Sequence, residues 1–206
     1  MNRSVKFVRK KAKKRKPDRR IQRTRNMLND ALMSLVIEKG YEATTVQDIL
    51  DRANLGRSTF YTHFRDKDEL LTAGLQQMQK MIEKIDSNFN RPRGPGRHHP
   101  SARMILEHTA QHHRFYKAML GKPGGEIVEG FLSRYAITLV GQHLKSLAAG
   151  KKTAIPHEIL VHFIASSFLG ILTWWLSHDL PYSPEEMDRM FHQLIIPALN
   201  AGLTSY

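Results

Sequence analysis

Positions 57 to 63 read Arg-Ser-Thr-Phe-Tyr-Thr-His, so a guanidinium, three hydroxyls, a phenol and an imidazole crowd around Phe60. This is hydrogen-bonding chemistry. Arginine donates to phosphate or, bidentately, to guanine; small hydroxyls permit close approach; an imidazole reaches a base edge or a phosphate. Arg57, Thr62 and His63 are therefore candidates for reading bases, with Ser58 and Thr59 short enough for close contact.

Catalytic readings find no support. The chain lacks Gly-x-Ser-x-Gly, a glycine-rich phosphate loop and His-Glu-x-x-His, and it has no cysteine to act as thiolate or zinc ligand. Its eleven histidines include His98, His99, His108, His112 and His113. His108 and His112 stand one helical turn apart, as a metal pair would, but no carboxylate or thiol is obviously placed beside them. Neither a metal site nor a cofactor is assigned, and no enzymatic activity is expected.

Charge narrows the partners. The formal net charge is +13, and residues 1–20 hold eleven Lys and Arg against the single Asp18, a net of +10. Such a run is a solvated tail, a nucleic-acid arm or an anionic-membrane patch, and composition alone leaves all three open. The longest greasy stretch, Ile159 to Leu176, is interrupted by His162, Ser166, Ser167 and Thr173, so no membrane span is expected. The basic N-terminus has no apolar signal-peptide core, and the absence of cysteine suits a reducing compartment, so the expected location is cytoplasmic.

The elements that must carry the Arg57–His63 cluster read as helices. Ile21, Met27, Leu28, Ala31, Leu32, Leu35 and Val36 recur on one face from Arg19 onward, and Lys39 with Gly40 closes that helix. Thr45, three residues before Asp48, opens a short helix over Val46 to Ala53 with a capping-box-like pair. Asn54, Leu55 and Gly56 turn the chain into a third helix, Arg57 to Phe64, whose Phe60 and Phe64 lie one turn apart. Asp66 caps a long fourth helix opening at Lys67. Val46, Ile49, Leu55, Phe60 and Phe64 are the expected core of this unit. Two short helices joined by a tight turn behind a longer one make a helix-turn-helix, whose second short helix enters the major groove.

These residues resemble a known signature. The stretch Gly40-Tyr-Glu-Ala-Thr-Thr-Val-Gln-Asp-Ile-Leu-Asp-Arg-Ala53 and Arg57-Ser-Thr-Phe-Tyr-Thr-His-Phe-Arg-Asp-Lys-Asp-Glu-Leu-Leu71 is similar to the N-terminal region of the TetR family, over about residues 20–71. The resemblance implies that Thr45, Arg57, Ser58, Thr59, Tyr61, His63 and Lys67 face double-stranded operator DNA. Thr45 would cap its helix and meet a phosphate, Tyr61 would donate its hydroxyl to a phosphate, and Lys67 would neutralise another. Gly56 departs from the Ser or Thr that often caps the recognition helix in the family, removing one side-chain acceptor. With a helix-turn-helix downstream, the basic tail reads as an arm adding phosphate or minor-groove contacts.

Beyond a Pro/Gly-rich loop at 90–100, apolar periodicity continues near residues 101–112, 115–120, 125–149, 156–178 and 183–201, with no strand pattern. The fold class is thus all-α: a basic arm over 1–18, a helix-turn-helix domain over 19–66, a connecting helix over 67–89, and a helical domain over 101–206, which the family resemblance makes a dimerisation and effector domain. Trp174-Trp-Leu-Ser-His-Asp-Leu-Pro-Tyr-Ser-Pro-Glu-Glu-Met187 resembles the closing region of one TetR subgroup, and Ser183, Pro184 and Glu186 make a strong helix start on physical grounds. The resemblance implies a homodimer through the last two long helices, a small-molecule effector, and a regulator, usually a repressor, released from a palindromic operator; a protein effector is the alternative. Phe115, Met119, Phe131, Tyr135, Phe163 and Trp174 are candidates for lining an effector pocket. Two other classes stay open: a co-regulator whose C-terminal domain binds a protein partner, and a sequence-indifferent nucleic-acid coat driven by the tail.

Overall fold

The computed structural model describes residues 19–89, 100–147 and 154–203. The expected arm and most of the Pro/Gly-rich loop lie outside the described residues. Within them the chain forms nine helices and no strand: α1 (Arg19–Lys39), α2 (Val46–Ala53), α3 (Arg57–His63), α4 (Lys67–Phe89), α5 (Pro100–Gln111), α6 (His113–Met119), α7 (Glu126–Leu147), α8 (His157–Ser177) and α9 (Pro184–Leu203).

The ends of the N-terminal helices follow from local chemistry. α1 stops at Gly40, whose φ of +84° is costly for any residue with a Cβ and whose N–H returns to the Val36 carbonyl at 3.0 Å. Thr45 and Asp48 form a reciprocal capping box at α2, as the sequence leads one to expect. Left-handed Asn54 (φ 51°, ψ 51°) ends α2, and Gly56 caps α3 through its backbone alone. Phe64 is extended, so α3 ends one residue earlier than its aromatic spacing suggests. Asp66 then accepts the Glu69 N–H at 2.7 Å and starts α4.

Leu28, Leu32 and Val36 of α1, Ile49 and Leu50 of α2, Phe60 of α3 and Leu70 of α4 are buried together. Each aliphatic or aromatic side chain of this kind contributes about 1.5–3 kcal/mol on leaving water. Ile49, Phe60 and Phe64 are thus core, as expected, while Val46 and Leu55 are partly buried against it. The same apolar cluster runs on into the C-terminal helices through Ile105, Leu106, Tyr116, Met119, Leu132, Leu172 and Trp175. Contacts of α1 with α2, α4 and α6, and of α4 with α5 and α7, join the two halves.

By length and composition α8 is apolar enough to cross a membrane, yet one side of it is packed on α7 and α9 and its other side is exposed. Trp175, fully buried, donates its indole N–H to the Tyr182 carbonyl at 2.9 Å and ties the α8–α9 turn back to α8. Ser183 and Glu186 then form a second capping box ahead of Pro184, so the helix start read from the sequence is found where expected.

Candidate nucleic-acid interface

Seven of the eight sequence-predicted site residues, all but Thr45, fall on α3 or at the start of α4, and Thr45 opens the neighbouring helix α2. Thr45, Arg57, Ser58, Tyr61 and Thr62 are exposed, whereas Thr59, His63 and Lys67 are half-buried. Tyr61 is 59% exposed, its ring set edge-on against Phe60 with centroids 5.4 Å apart. A buried Phe60 therefore fixes the direction of its exposed neighbour.

Arg57 is held across the turn. Its Nε and Nη2 donate to Gln47 Oε1 at 3.0 and 2.8 Å, and Gln47 Nε2 donates to Asp51 Oδ1 at 2.7 Å. A guanidinium carries five N–H donors, so three remain for another acceptor. Three other cations of this unit are matched with carboxylates: Arg52 bidentately with Glu38 (2.7 and 2.6 Å), Lys39 with Asp48 (2.8 Å) and Arg65 with Glu69 (3.1 Å). Arg57 rests on a neutral amide instead, so its charge stays available at the exposed face. Gln47 was missed by sequence reasoning, because no spacing rule links a residue on α2 to one on α3.

Two hydroxyls are turned toward the protein itself. Thr62 donates to the Ser58 carbonyl at 2.7 Å, and Thr45 donates to Asp48 Oδ2 at 2.5 Å while accepting the Asp48 N–H at 3.2 Å. Lys39 and Thr45 hold the Asp48 carboxyl well below the ordinary carboxylate range. The first turn of α2 is thereby locked, and its remaining early amides, those of Val46 and Gln47, have no acceptor within the helix.

Lys67 also points inward. Its ammonium donates to the carbonyls of Tyr41 and Thr44 at 2.9 and 3.1 Å and lies 4.3 Å from the centroid of the Tyr41 ring. Tyr41 is buried, and its hydroxyl donates to Asp68. Burial first, and then the Asp68 carboxylate, push that phenol far above its ordinary value. Tyr41, Lys67 and Asp68 thus pin the α1–α2 loop to the start of α4 and set the position of α2. The sequence marks Tyr41 only as an aromatic following a glycine.

The six candidates for an effector pocket do not come together. Phe115, Met119, Phe131 and Tyr135 are buried in the packed core, while Phe163 and Trp174 are 51% and 44% exposed on the outer face of α8. None of the six lines the apolar cavity between α5, α7, α8 and α9. The His108 and His112 rings lie 4.6 Å apart with their planes inclined by 47°, and among the described residues no group of three potential metal ligands forms.

Residues 28–73 match the family described as bacterial regulatory proteins, tetR family, and residues 98–197 match a transcriptional regulator C-terminal region of the same series. The HTH-type transcriptional regulator YxbF of Bacillus subtilis is 26% identical over 192 residues, which is 89% of this chain and 47% of that protein. The HTH-type transcriptional repressor KstR of Rhodococcus jostii is 35% identical over 82 residues, 40% of this chain and 36% of its own length. The chain therefore spans less than half the length of these curated relatives. A TetR-family regulator of Syntrophomonas wolfei shares the fold with a TM-score of 0.70 at 22% identity, over 89% of this chain and 97% of that one.

Proposed function

The chain belongs to the TetR family of transcriptional regulators, and from that premise we propose that it is a homodimeric repressor that binds a palindromic operator and is released by an effector. The observation that carries this reading is the exposed row Arg57, Ser58, Tyr61 and Thr62 on α3, with Arg57 uncompensated by a carboxylate and held by Gln47. Arg57 reads a guanine edge and Tyr61 meets a phosphate, with His63 and Thr59 at the margin of the contact. The amides of Val46 and Gln47, locked in place by the Thr45–Asp48 box, receive a phosphate at the α2 N-terminus.

The domain plan supporting this is a reading head over 19–66, a connecting helix over 67–89 and a dimerisation and effector unit over 101–206, preceded by a basic arm over 1–18. The exposed side of α8 and α9 suits self-association: Ile159, Phe163, Trp174, Leu194 and Ile196 leave a large apolar stripe uncovered. A two-fold pair of such chains places two recognition helices in successive major grooves, about 34–36 Å apart or somewhat more. An effector acts by favouring the state with the wrong spacing.

Selection of bound sequences from a random DNA pool tests this, using the full chain, the Arg57→Ala variant and a form lacking residues 1–18. One palindrome is expected from the full chain. Arg57→Ala should relax one position of each half-site, losing about 1–3 kcal/mol of discrimination there. Loss of the arm should weaken binding and flatten its salt dependence without changing the motif. Absence of any enriched motif from the full chain would refute autonomous operator reading and point to a protein partner.

A further inference from the structure

Arg57 stands at the start of α3, yet the group that orients its guanidinium comes from α2. Gln47 Oε1 accepts from both Nε and Nη2 of Arg57, at 3.0 and 2.8 Å. Those two donors form the side edge of the planar guanidinium. Its end edge, made by Nη1 and the second hydrogen of Nη2, keeps its donors for another acceptor. Guanine offers O6 and N7 to two parallel N–H groups. The end edge supplies such a pair while the side edge stays on Gln47.

The amide is oriented from behind. Gln47 Nε2 donates to Asp51 Oδ1 at 2.7 Å, one turn further along α2. A carboxylate only accepts and a guanidinium only donates, so one orientation of the amide satisfies both: NH2 toward Asp51, carbonyl toward Arg57. The backbone beneath is fixed as well, because the Thr45–Asp48 box locks the first turn of α2, in which Gln47 stands. Gln47, Asp51 and Arg57 are all exposed, so these bonds add little to the stability of the fold. Their effect is on binding: an arginine already held has lost part of its rotamer freedom before a ligand arrives.

We propose that Gln47, oriented by Asp51, is a positioning residue for sequence recognition: it holds the side edge of the Arg57 guanidinium so that the end edge meets guanine, and it stays on Arg57 in the complex instead of contacting a base itself. A residue of α2 thereby sets how strictly α3 reads one base pair. This assignment rests on the operator reading given to Arg57 above.

The test measures the affinity of the full chain for the selected palindrome and for versions with each half-site base pair replaced in turn. Arg57→Ala first identifies the base pair that Arg57 reads. Gln47→Met keeps the stem length and helix propensity without the acceptor, and Asp51→Ala removes the group behind it, so a folding failure in one leaves the other. At the Arg57 base pair Gln47→Met should lose discrimination by about threefold to tenfold, the scale of one ordinary hydrogen bond, and Asp51→Ala should lose about twofold or more. In the Arg57→Ala background either change should alter discrimination there by less than about twofold. The thermal midpoint of Gln47→Met should stay within about 2 °C of wild type, as for an exposed contact. Unchanged discrimination in both variants, or an equal loss with and without Arg57, would overturn the proposal. A loss at a different base pair would overturn it by making Gln47 a base reader in its own right. Uniform weakening on every sequence with a lower thermal midpoint would reduce Gln47 to a structural contact and overturn it too. If Arg57→Ala relaxes no base pair, the operator reading of Arg57 fails and the positioning role falls with it.

Discussion

Replacing Lys67 with Met separates an internal staple from a phosphate contact, because the two roles move different observables. Two of the three ammonium hydrogens go to the Tyr41 and Thr44 carbonyls, at 2.9 and 3.1 Å. A hydrogen bond involving a charged group contributes about 1.5–3 kcal/mol, and the lower end applies to this half-buried site. The contact over the Tyr41 ring adds about 0.5–1 kcal/mol. Water reaching the freed carbonyls returns part of this, so the net loss is about 2–3 kcal/mol, and Met keeps the apolar stem. At about 2–4 °C per kcal/mol for a chain of this size, the thermal midpoint should fall by about 5–10 °C. Operator affinity should drop as the α1–α2 loop loosens, but the slope of log affinity against log salt should hold within about 0.3. One lost phosphate contact would instead reduce the slope by about 0.9. A thermal midpoint unchanged within about 1 °C, together with that smaller slope, would refute the inward assignment of Lys67.

Three further outcomes follow from the geometry. Gly124 sits at φ +81°, and a Cβ there would come 2.6 Å from Cδ1 of the buried Tyr41 ring and 2.5 Å from Oε1 of Glu42; Gly124→Ala should cost more than about 1 kcal/mol in urea unfolding and weaken operator binding, and a neutral result on both would show that the α6–α7 loop does not brace the α1–α2 loop. Burial first, and His112 second, lower His108 to about 4 from its ordinary 6.5, so the unfolded chain takes up a proton before the fold does. The stability due to this neutral His108 is present above about pH 6.5 and is lost as pH falls toward about 4. The full difference is at most about 3 kcal/mol, reduced to about 1–2 because the ring keeps contact with water; His108→Gln should flatten urea stability between pH 6.5 and 4, and an unaltered slope would remove His108 from the account. Gly56 has a φ of −79° and open space around an added Cβ, so Gly56→Ser should raise stability by about 0.5–1 kcal/mol through a new cap acceptor and a stiffer unfolded chain, with a lower melting midpoint as the contrary result.

What the sequence determined by itself was everything governed by rules acting within a turn or two of chain. The Thr45–Asp48 and Ser183–Glu186 boxes, the glycine stop at Gly40, the Asp66 cap and the apolar stripe through Leu28, Leu32 and Val36 are local, and each stands where periodicity and capping chemistry put it. The exposure of Arg57, Ser58 and Tyr61 is local as well, because Phe60 and Phe64 must turn inward and a helix then turns the rest outward. Only the tertiary structure decided which groups meet from different helices. Lys67 has the chemistry of a phosphate ligand, but its ammonium reaches two carbonyls that packing brings to the start of α4. Gln47 supports Arg57 only because the turn folds α2 beside α3. Phe163 and Trp174 read as pocket residues because α8 is apolar almost all round, so its pattern does not mark an inner face. That choice belongs to α7 and α9, which cover Ile164 and Phe168 and leave Phe163 and Trp174 outside.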